Sequence, residues 1–329
     1  MKNVINSLNY FGLVSLITLL VSCNSSDQTE FNPIPIGEGK LEVDGGSIWY
    51  KVSGEGSNSP VVLLHGGPGY SSFYLKPLEE LGSSRQIIRY DQLGSGKSDF
   101  VSDTSLFTIS HFVEELESLR NHLKVEKWHV LGHSWGTVLA FEYYRKYPSR
   151  VNSLILGSPC IDINAWEQST NQLLQSLPDS LQKAVVQADS TGIYDDPLYE
   201  VAINTFNNKY VWGKNPIEME LDSMVNTANL SIYNFMWGPS EFSITGTLKN
   251  YNALNTMQDI DIPTLFTVGE FDEIQPSFVR EMATKFKNSK VEVFPNSSHL
   301  TTWDAPEQNI KVVHDFLTEL DSNITANNR

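Results

Sequence analysis

Short runs of apolar and β-branched residues recur along the chain, with helical stretches between them. Such alternation is typical of a parallel sheet whose strands are joined by crossover helices. Near the start, two alternating segments flank the turn sequence Asp44-Gly45-Gly46, which predicts an antiparallel hairpin. The predicted strands are residues 40–43, 47–52, 61–64, 87–90, 128–131, 154–156, 264–268 and 291–294. The pattern indicates an α/β fold with a mostly parallel sheet flanked by helices.

The strand pattern stops after the sixth predicted strand and resumes only at Ile262. Residues 161–247 are instead rich in aromatic side chains within helical segments. We interpret this region as a helical cap inserted into an α/β core. Residues 36–160 would form the first part of the core and residues 248–329 the second part, with a closing helix over residues 306–320.

The first 22 residues have the features of a secretory signal peptide. One charge, Lys2, precedes an apolar run over residues 11–21 that is too short to span a bilayer. The run ends in Leu-Val-Ser-Cys, which resembles the lipobox of bacterial lipoproteins, so Cys23 would be the lipidated mature N-terminus. The polar, proline-containing residues 23–35 would be a tether. An ordinary signal peptide with a chance cysteine, or a short membrane anchor, are the alternatives. The expected location is the bacterial cell envelope, with a lipid anchor in a membrane.

Composition and charge exclude several classes of protein. Of the 329 residues, 40% are apolar and only 19% are charged, which argues against disorder. The net charge of −16, with no Lys/Arg-rich run, excludes binding to nucleic acid. The two cysteines, Cys23 and Cys160, are too few and too widely spaced for a disulfide scaffold or a thiolate metal site.

The sequence Gly-His-Ser-Trp-Gly at residues 132–136 has the G-x-S-x-G form. It directly follows a predicted strand and precedes a helical run, which is the strand–turn–helix setting of a nucleophile elbow. Glycines flank Ser134 because the strand and the helix pack too closely there for side chains. Ser134 is therefore the candidate nucleophile.

A serine nucleophile needs a base and a group that orients the base. His299 comes just after the last predicted strand, and Asp272 comes just after the strand before it. The order Ser134, Asp272, His299 is the chain order of an α/β-hydrolase triad. Other acidic residues could take the place of Asp272: Glu270, Glu273 and Asp261.

Acyl transfer also needs N–H donors for the developing oxyanion. The backbone N–H of Trp135, directly after the nucleophile, would supply the first donor. The second is expected from the loop His65-Gly66-Gly67-Pro68-Gly69 after an early strand, with Gly67 as the candidate. Such a mechanism requires neither a metal nor an organic cofactor.

Several motifs together resemble the proline iminopeptidase family of α/β-hydrolase serine peptidases. The resemblance covers residues 36–320 and implies an α/β-hydrolase fold with a Ser-His-Asp triad. HGGPG and DQLGSGKS are its most specific parts, since generic esterases usually have looser versions. The motifs are HGGPG at 65–69, DQLGSGKS at 91–98, GHSWG at 132–136, GEFDE at 269–273 and SSHLTTWDAPE at 297–307.

A segment within the predicted cap, WGPSEF at 237–242, resembles the G-P-x-E-F segment of the archaeal tricorn-interacting branch of that family. In that branch the glutamate binds the free α-amino group of the substrate, which makes Glu241 the candidate substrate-binding residue. The family usually pairs it with a second cap carboxylate, for which Glu200, Glu218 and Glu220 are possible. Thr137 stands where many members have a second glycine, and we expect little effect on the chemistry.

The leading hypothesis is a serine aminopeptidase that releases N-terminal residues, proline preferred, from short peptides with a free N-terminus. An esterase, lactonase or amidase using the same triad is the second hypothesis. The third, from another class, is an inactive hydrolase scaffold that acts as a surface binding lipoprotein.

Overall fold

A mostly parallel β-sheet runs through the computed structural model, which describes residues 33–213, 225–255 and 260–327. The strands in these ranges are β1 (Gly37–Val43), β2 (Gly46–Ser53), β3 (Asn58–Leu64), β4 (Arg85–Asp91), β5 (Trp128–His133), β6 (Val151–Gly157), β7 (Thr264–Gly269) and β8 (Ser289–Phe294). Their order across the sheet is β1-β2-β4-β3-β5-β6-β7-β8. The pairs β1–β2 and β2–β4 are antiparallel, and the remaining neighbouring pairs are parallel.

The antiparallel hairpin predicted at the start of the sheet is confirmed. β1 and β2 pair from Gly37 opposite Val52 to Val43 opposite Gly46. Gly45, in the turn between them, has φ 91°, a left-handed conformation that glycine adopts without a steric penalty.

Helices connect the strands and cover both faces of the sheet. They are α1 (Ile109–His122), α2 (Trp135–Lys146), α3 (Ile163–Leu174), α4 (Asp179–Thr191), α5 (Pro197–Tyr210), α6 (Leu230–Met236), α7 (Pro276–Ala283), α8 (Thr301–Asp304) and α9 (Pro306–Asn327). A 12-residue 3-10 helix covers Ser72–Ser83, and two short ones cover Thr104–Leu106 and Pro148–Arg150.

Successive residues of β3 show how the sheet separates two apolar layers, because side chains alternate between the faces of a strand. Val62 and Leu64 belong to a large cluster with apolar side chains of α1, α2 and α7. Val61 and Leu63 belong to a second cluster with the 3-10 helix Ser72–Ser83 and α9. Burial on both faces explains why the central strands appear in the sequence as continuous apolar runs.

Helices α3 to α6 lie between β6 and β7 in the chain, where the sequence predicts a helical insertion. Aromatic and aliphatic side chains from α4 and α5 pack with Phe242 in a cluster of their own. The residue boundaries assigned to the cap and to the two core parts remain predictions.

The predicted signal peptide over residues 1–22, Cys23 and the tether up to residue 32 lie outside the described residues. The described chain begins where Ile34 is held by Gln86, whose side chain accepts from its N–H at 2.8 Å and donates to its carbonyl at 2.7 Å. None of the helices in the described ranges combines the length and the apolar character needed to cross a bilayer.

Candidate active site

Ser134 lies in a tight turn between β5 and α2, with φ 53° and ψ −126°. A side chain on either flanking glycine would collide with backbone: a Cβ on Gly132 would lie 2.2 Å from the Gly136 carbonyl oxygen, and one on Gly136 would lie 2.2 Å from that of Leu64. The positive φ of a non-glycine residue costs about 1–3 kcal/mol and is common at functional sites. The local geometry is that of a nucleophile elbow.

His299 and Asp272 meet beyond the carboxyl ends of β7 and β8. His299 Nδ1 lies 2.9 Å from Asp272 Oδ1. The Asp272 carboxylate also accepts hydrogen bonds from Ser158 Oγ at 2.6 Å and from the backbone N–H groups of Ile274 at 3.2 Å and Gly269 at 3.3 Å. Because a carboxylate only accepts, His299 donates through Nδ1, and its Nε2 is left as the basic nitrogen.

Ser134 and His299 both line a cavity of about 340 Å³. Between these two described side chains the structure shows no hydrogen bond. Catalytic hydrogen bonds are often long in unliganded enzymes and shorten when substrate binds. The structure therefore brings the three predicted triad residues to one site, with the Asp272–His299 contact already made.

The two predicted oxyanion donors lie beside the nucleophile. Gly67 lines the same cavity and has φ 45°. Trp135 is the first residue of α2, so its N–H has no partner within the helix. Gln92 joins the two segments, because its amide donates to the His65 carbonyl at 3.0 Å and accepts from Trp135 Nε1 at 2.8 Å.

Glu241 lies on the wall of the cavity that Ser134 and His299 line. Burial raises the pKa of this carboxyl above its usual value, while His299 and the Tyr233 hydroxyl oppose part of that rise. Pairing with a cation stabilises a poorly solvated carboxylate more than a well solvated one.

Glu273 is a second carboxyl group at the site, completely buried beside the triad acid. Its Oε1 lies 3.4 Å from His299 Nδ1, and neither of its carboxyl oxygens has a hydrogen-bond partner among the described residues. Burial raises the pKa of Glu273 well above its usual range, and the charges of Glu241 and Asp272 raise it further. An unpartnered buried carboxyl group of this kind is unusual and calls for a functional explanation.

A family model described as alpha/beta hydrolase fold matches residues 59–306. A proline iminopeptidase of Heyndrickxia coagulans is 38% identical over 288 residues, which are 86% of this chain and 99% of the relative. A proline iminopeptidase of Saccharolobus solfataricus is 34% identical over 291 residues, which are 87% of this chain and 94% of the relative. The chain belongs to the proline iminopeptidase family.

A solved structure agrees with membership in the proline iminopeptidase family. The crystal structure of proline iminopeptidase from Mycobacterium smegmatis matches with a TM-score of 0.79 and 28% identity, covering 88% of this chain and 100% of that one. The resemblance inferred from the sequence motifs and the predicted α/β-hydrolase fold are thereby confirmed.

None of the three candidates for a second cap carboxylate is found at the cavity in the described residues. Glu200 is exposed on α5 and does not line the cavity, while Glu218 and Glu220 lie outside the described residues. Glu273 is the second carboxyl group whose charge interacts with that of Glu241. From the sequence, Glu273 is a candidate only for the place of Asp272, and its position directly after Asp272 is the one sequence feature that links it to the site.

Two further residues at the site were not assigned a role from the sequence. His133, the variable residue of the G-x-S-x-G motif, bonds to Tyr74 and to the backbone of His299. Burial and, to a smaller extent, the neighbouring His299 together lower the pKa of His133 to about 3, so its ring is neutral near pH 7. In the described ranges, no group of three His, Cys, Asp or Glu side chains is placed to hold a metal ion.

Proposed function

We propose that this protein is a serine aminopeptidase that releases N-terminal residues, proline preferred, from short peptides. The observation that carries the proposal is a partly buried carboxyl group, Glu241, on the wall of the cavity that Ser134 and His299 line. An aminopeptidase must bind a cationic amine one residue from the carbonyl that it attacks. Proline iminopeptidases among the relatives support the same activity.

The triad geometry accounts for the acyl transfer. Ser134 Oγ attacks the carbonyl carbon of the N-terminal residue while His299 Nε2 takes the hydroxyl proton. Asp272 keeps the Nδ1 proton in place and stabilises the imidazolium that forms. The negative charge on the former carbonyl oxygen is held by the N–H groups of Gly67 and Trp135.

Collapse of this intermediate breaks the peptide bond, and His299 gives its proton to the leaving amine. The N-terminal residue is then an ester on Ser134. Water attacks that ester with His299 again as base, which releases the free amino acid and restores the serine hydroxyl. The reaction is a hydrolysis and therefore needs no redox partner. Every proton that His299 accepts is returned in a later step.

Two carboxyl groups favour a cationic substrate. Glu241 borders the cavity and would pair directly with the ammonium group. Glu273 adds a second carboxyl group whose proton is lost more easily once a cation neutralises its neighbour. Since the charge of Glu241 helps to raise the pKa of Glu273, an ammonium group paired with Glu241 would stabilise the ionised form of both.

The preference for proline rests on the relatives and on the wall of the cavity. Tyr70 and Tyr233 line it with ring centroids 5.9 Å apart in an edge-to-face arrangement. Flat aromatic faces suit the apolar methylenes of a pyrrolidine ring.

A lipid anchor on Cys23 and a location in the cell envelope are also part of this proposal, and the lipobox-like sequence is their support. Expression of the full chain and of Cys23→Ala in a bacterium with a lipoprotein pathway tests them. The unchanged chain is expected in the membrane fraction, and the variant in the soluble fraction. Equal partition of the two would contradict the anchor.

The decisive experiment compares kcat/KM for a prolyl arylamide and its N-acetylated counterpart. A preference for the free amine of a hundredfold or more is expected, and Glu241→Gln should remove most of it. Glu200→Gln, an exposed substitution away from the cavity, serves as the control. Equal rates on both substrates, or activity on esters alone, would indicate a general serine hydrolase. Failure of a fluorophosphonate probe to label Ser134 would indicate an inactive scaffold.

A further inference from the structure

A single chain of hydrogen bonds joins the three segments that carry the catalytic groups. The Gly66 N–H lies 2.5 Å from the hydroxyl oxygen of Tyr74, which in turn lies 3.0 Å from His133 Nδ1. His133 Nε2 lies 2.9 Å from the carbonyl oxygen of His299. The oxyanion loop, the nucleophile elbow and the segment that carries the base are therefore connected through two side chains.

The direction of every bond in this chain is determined by its ends. The His299 carbonyl can only accept, so His133 Nε2 carries a proton. The neutral His133 ring then accepts at Nδ1, and the Tyr74 hydroxyl must donate to it. The Tyr74 oxygen is left free to accept from Gly66, whose N–H can only donate. No proton position in the chain remains undetermined.

The surroundings hold both side chains still. Tyr74 and His133 are each only 3% exposed. The Tyr74 backbone carbonyl accepts from Thr302 Oγ1 at 2.9 Å and from Trp303 Nε1 at 2.8 Å, both in α8, directly after the His299 segment. The His133 and His299 rings lie with their centroids 4.7 Å apart. These contacts fix the Tyr74 hydroxyl relative to the base.

We propose that Tyr74 and His133 are positioning residues that keep the oxyanion loop and His299 in place around Ser134. Gly66 directly precedes Gly67, so the bond to Tyr74 sets the backbone from which the Gly67 N–H projects. The bond from His133 holds the backbone of His299 beside the nucleophile. This inference rests on the proposed triad and does not depend on the identity of the substrate.

A loss of positioning should appear in the chemical step, not in substrate binding. Removal of one oxyanion donor costs a serine protease about 10²–10³ in kcat, and a displaced donor should cost part of that. Tyr74→Phe and His133→Leu are each expected to lower kcat about 10- to 100-fold with KM within about twofold. His133→Gln, which can still donate to the His299 carbonyl, should recover part of the loss.

The principal readout is the second-order rate constant for labelling of Ser134 by a fluorophosphonate, which requires the base and the oxyanion site but no amine contact. Tyr143→Phe is the matched control, since its buried hydroxyl donates to Glu117 at 2.7 Å outside the site. This control should lose stability without a change in the labelling rate. Unfolding curves of all variants separate a folding defect from a positioning defect.

The double variant Tyr74→Phe with His133→Leu decides whether the two residues act as one chain. If they do, its labelling rate should lie within about threefold of the slower single variant, because the second substitution breaks a chain that is already broken. Multiplied losses, or a Tyr74→Phe rate within twofold of the unchanged protein, would overturn the inference. Failure to cleave the prolyl arylamide, with normal labelling of the unchanged protein, would contradict the proposed function alone.

Discussion

Glu273 Oε1 lies 3.4 Å from His299 Nδ1, the same nitrogen that Asp272 Oδ1 contacts at 2.9 Å. Two consecutive acidic residues therefore face one edge of the base. Asp272 accepts hydrogen bonds from its surroundings, whereas the Glu273 oxygens have no hydrogen-bond partner in the described part of the chain. The same loop supplies one acid that is stabilised and one that is held at a cost in stability.

Replacement of Glu273 by Gln should stabilise the fold and weaken substrate binding. The folded protein raises the pKa of Glu273, so its burial opposes folding once the pH exceeds the usual carboxyl value of 4.5. The gain in unfolding free energy for Glu273→Gln is therefore expected to be larger at pH 8 than at pH 4. The variant should also raise KM for the prolyl arylamide about tenfold, because one of the two negative charges near the amine is lost.

Thermal unfolding across this pH range and steady-state kinetics test both expectations. Glu281→Gln, an exposed substitution on α7, is the control and should change neither quantity. A variant that is less stable than the unchanged protein at pH 8 would show that Glu273 has partners that the structure does not contain.

The motifs made the triad predictable because each of its residues is tied to a recognisable local pattern. Ser134 lies in a G-x-S-x-G turn, and Asp272 and His299 follow strands whose apolar runs can be identified directly. The contacts of Tyr74 with His133 and of His133 with His299 join residues 59 and 166 positions apart. Such contacts depend on how the loops meet at the edge of the sheet, which no local pattern encodes.

Glu241 illustrates a different limit. The segment WGPSEF predicts its role by resemblance, and Glu241 lies on the cavity wall. The resemblance predicts a second carboxylate within the cap, whereas Glu273 belongs to the loop after β7. Glu241 and Glu273 are distant in sequence, so no local pattern predicts that the fold brings them near each other.

The preference for a free amine should depend on pH through Glu241. Burial raises its pKa above the usual 4.5, so the group loses its negative charge at a higher pH than an ordinary carboxyl group does. The ratio of kcat/KM for the prolyl arylamide to that for its N-acetylated counterpart should fall as the pH falls through that raised pKa. Any effect of pH on the acyl-transfer step itself is common to both substrates and cancels in the ratio.

Measurement of this ratio between pH 5 and 8 isolates the amine contact. Glu241→Gln should make the ratio small and independent of pH over the same range. If Glu241→Gln keeps the full pH dependence of the ratio, another group is responsible for it. Glu273 would then be the next residue to replace.

Asp272 and Glu273 can be separated by amide substitutions. Asp272→Asn keeps the shape of the side chain but favours the wrong tautomer of His299, which should lower kcat by about 10³–10⁴. Because Glu273 faces the same nitrogen, we expect it to supply the residual orientation. The double variant with Glu273→Gln should lose a further tenfold or more, measured as kcat on the prolyl arylamide. Equal activity of the single and double variants would leave Glu273 without a part in orienting the base.

The strained backbone of Ser134 predicts a difference in stability between variants that can be measured without substrate. Its φ of 53° with ψ −126° is unfavourable for any side chain, and Ser134→Ala keeps that strain while removing the nucleophile. Ser134→Gly relieves it, at the cost of greater chain entropy in the unfolded state. The glycine variant should therefore be more stable than the alanine variant by about 1 kcal/mol in chemical denaturation, and both should lack turnover.

Ser118, exposed in α1, is the control at ordinary helical geometry. There the glycine variant should be less stable than the alanine variant by about 1 kcal/mol. The same order at both positions would mean that the elbow of the folded protein is relaxed, and the strain would then play no part in presenting the hydroxyl.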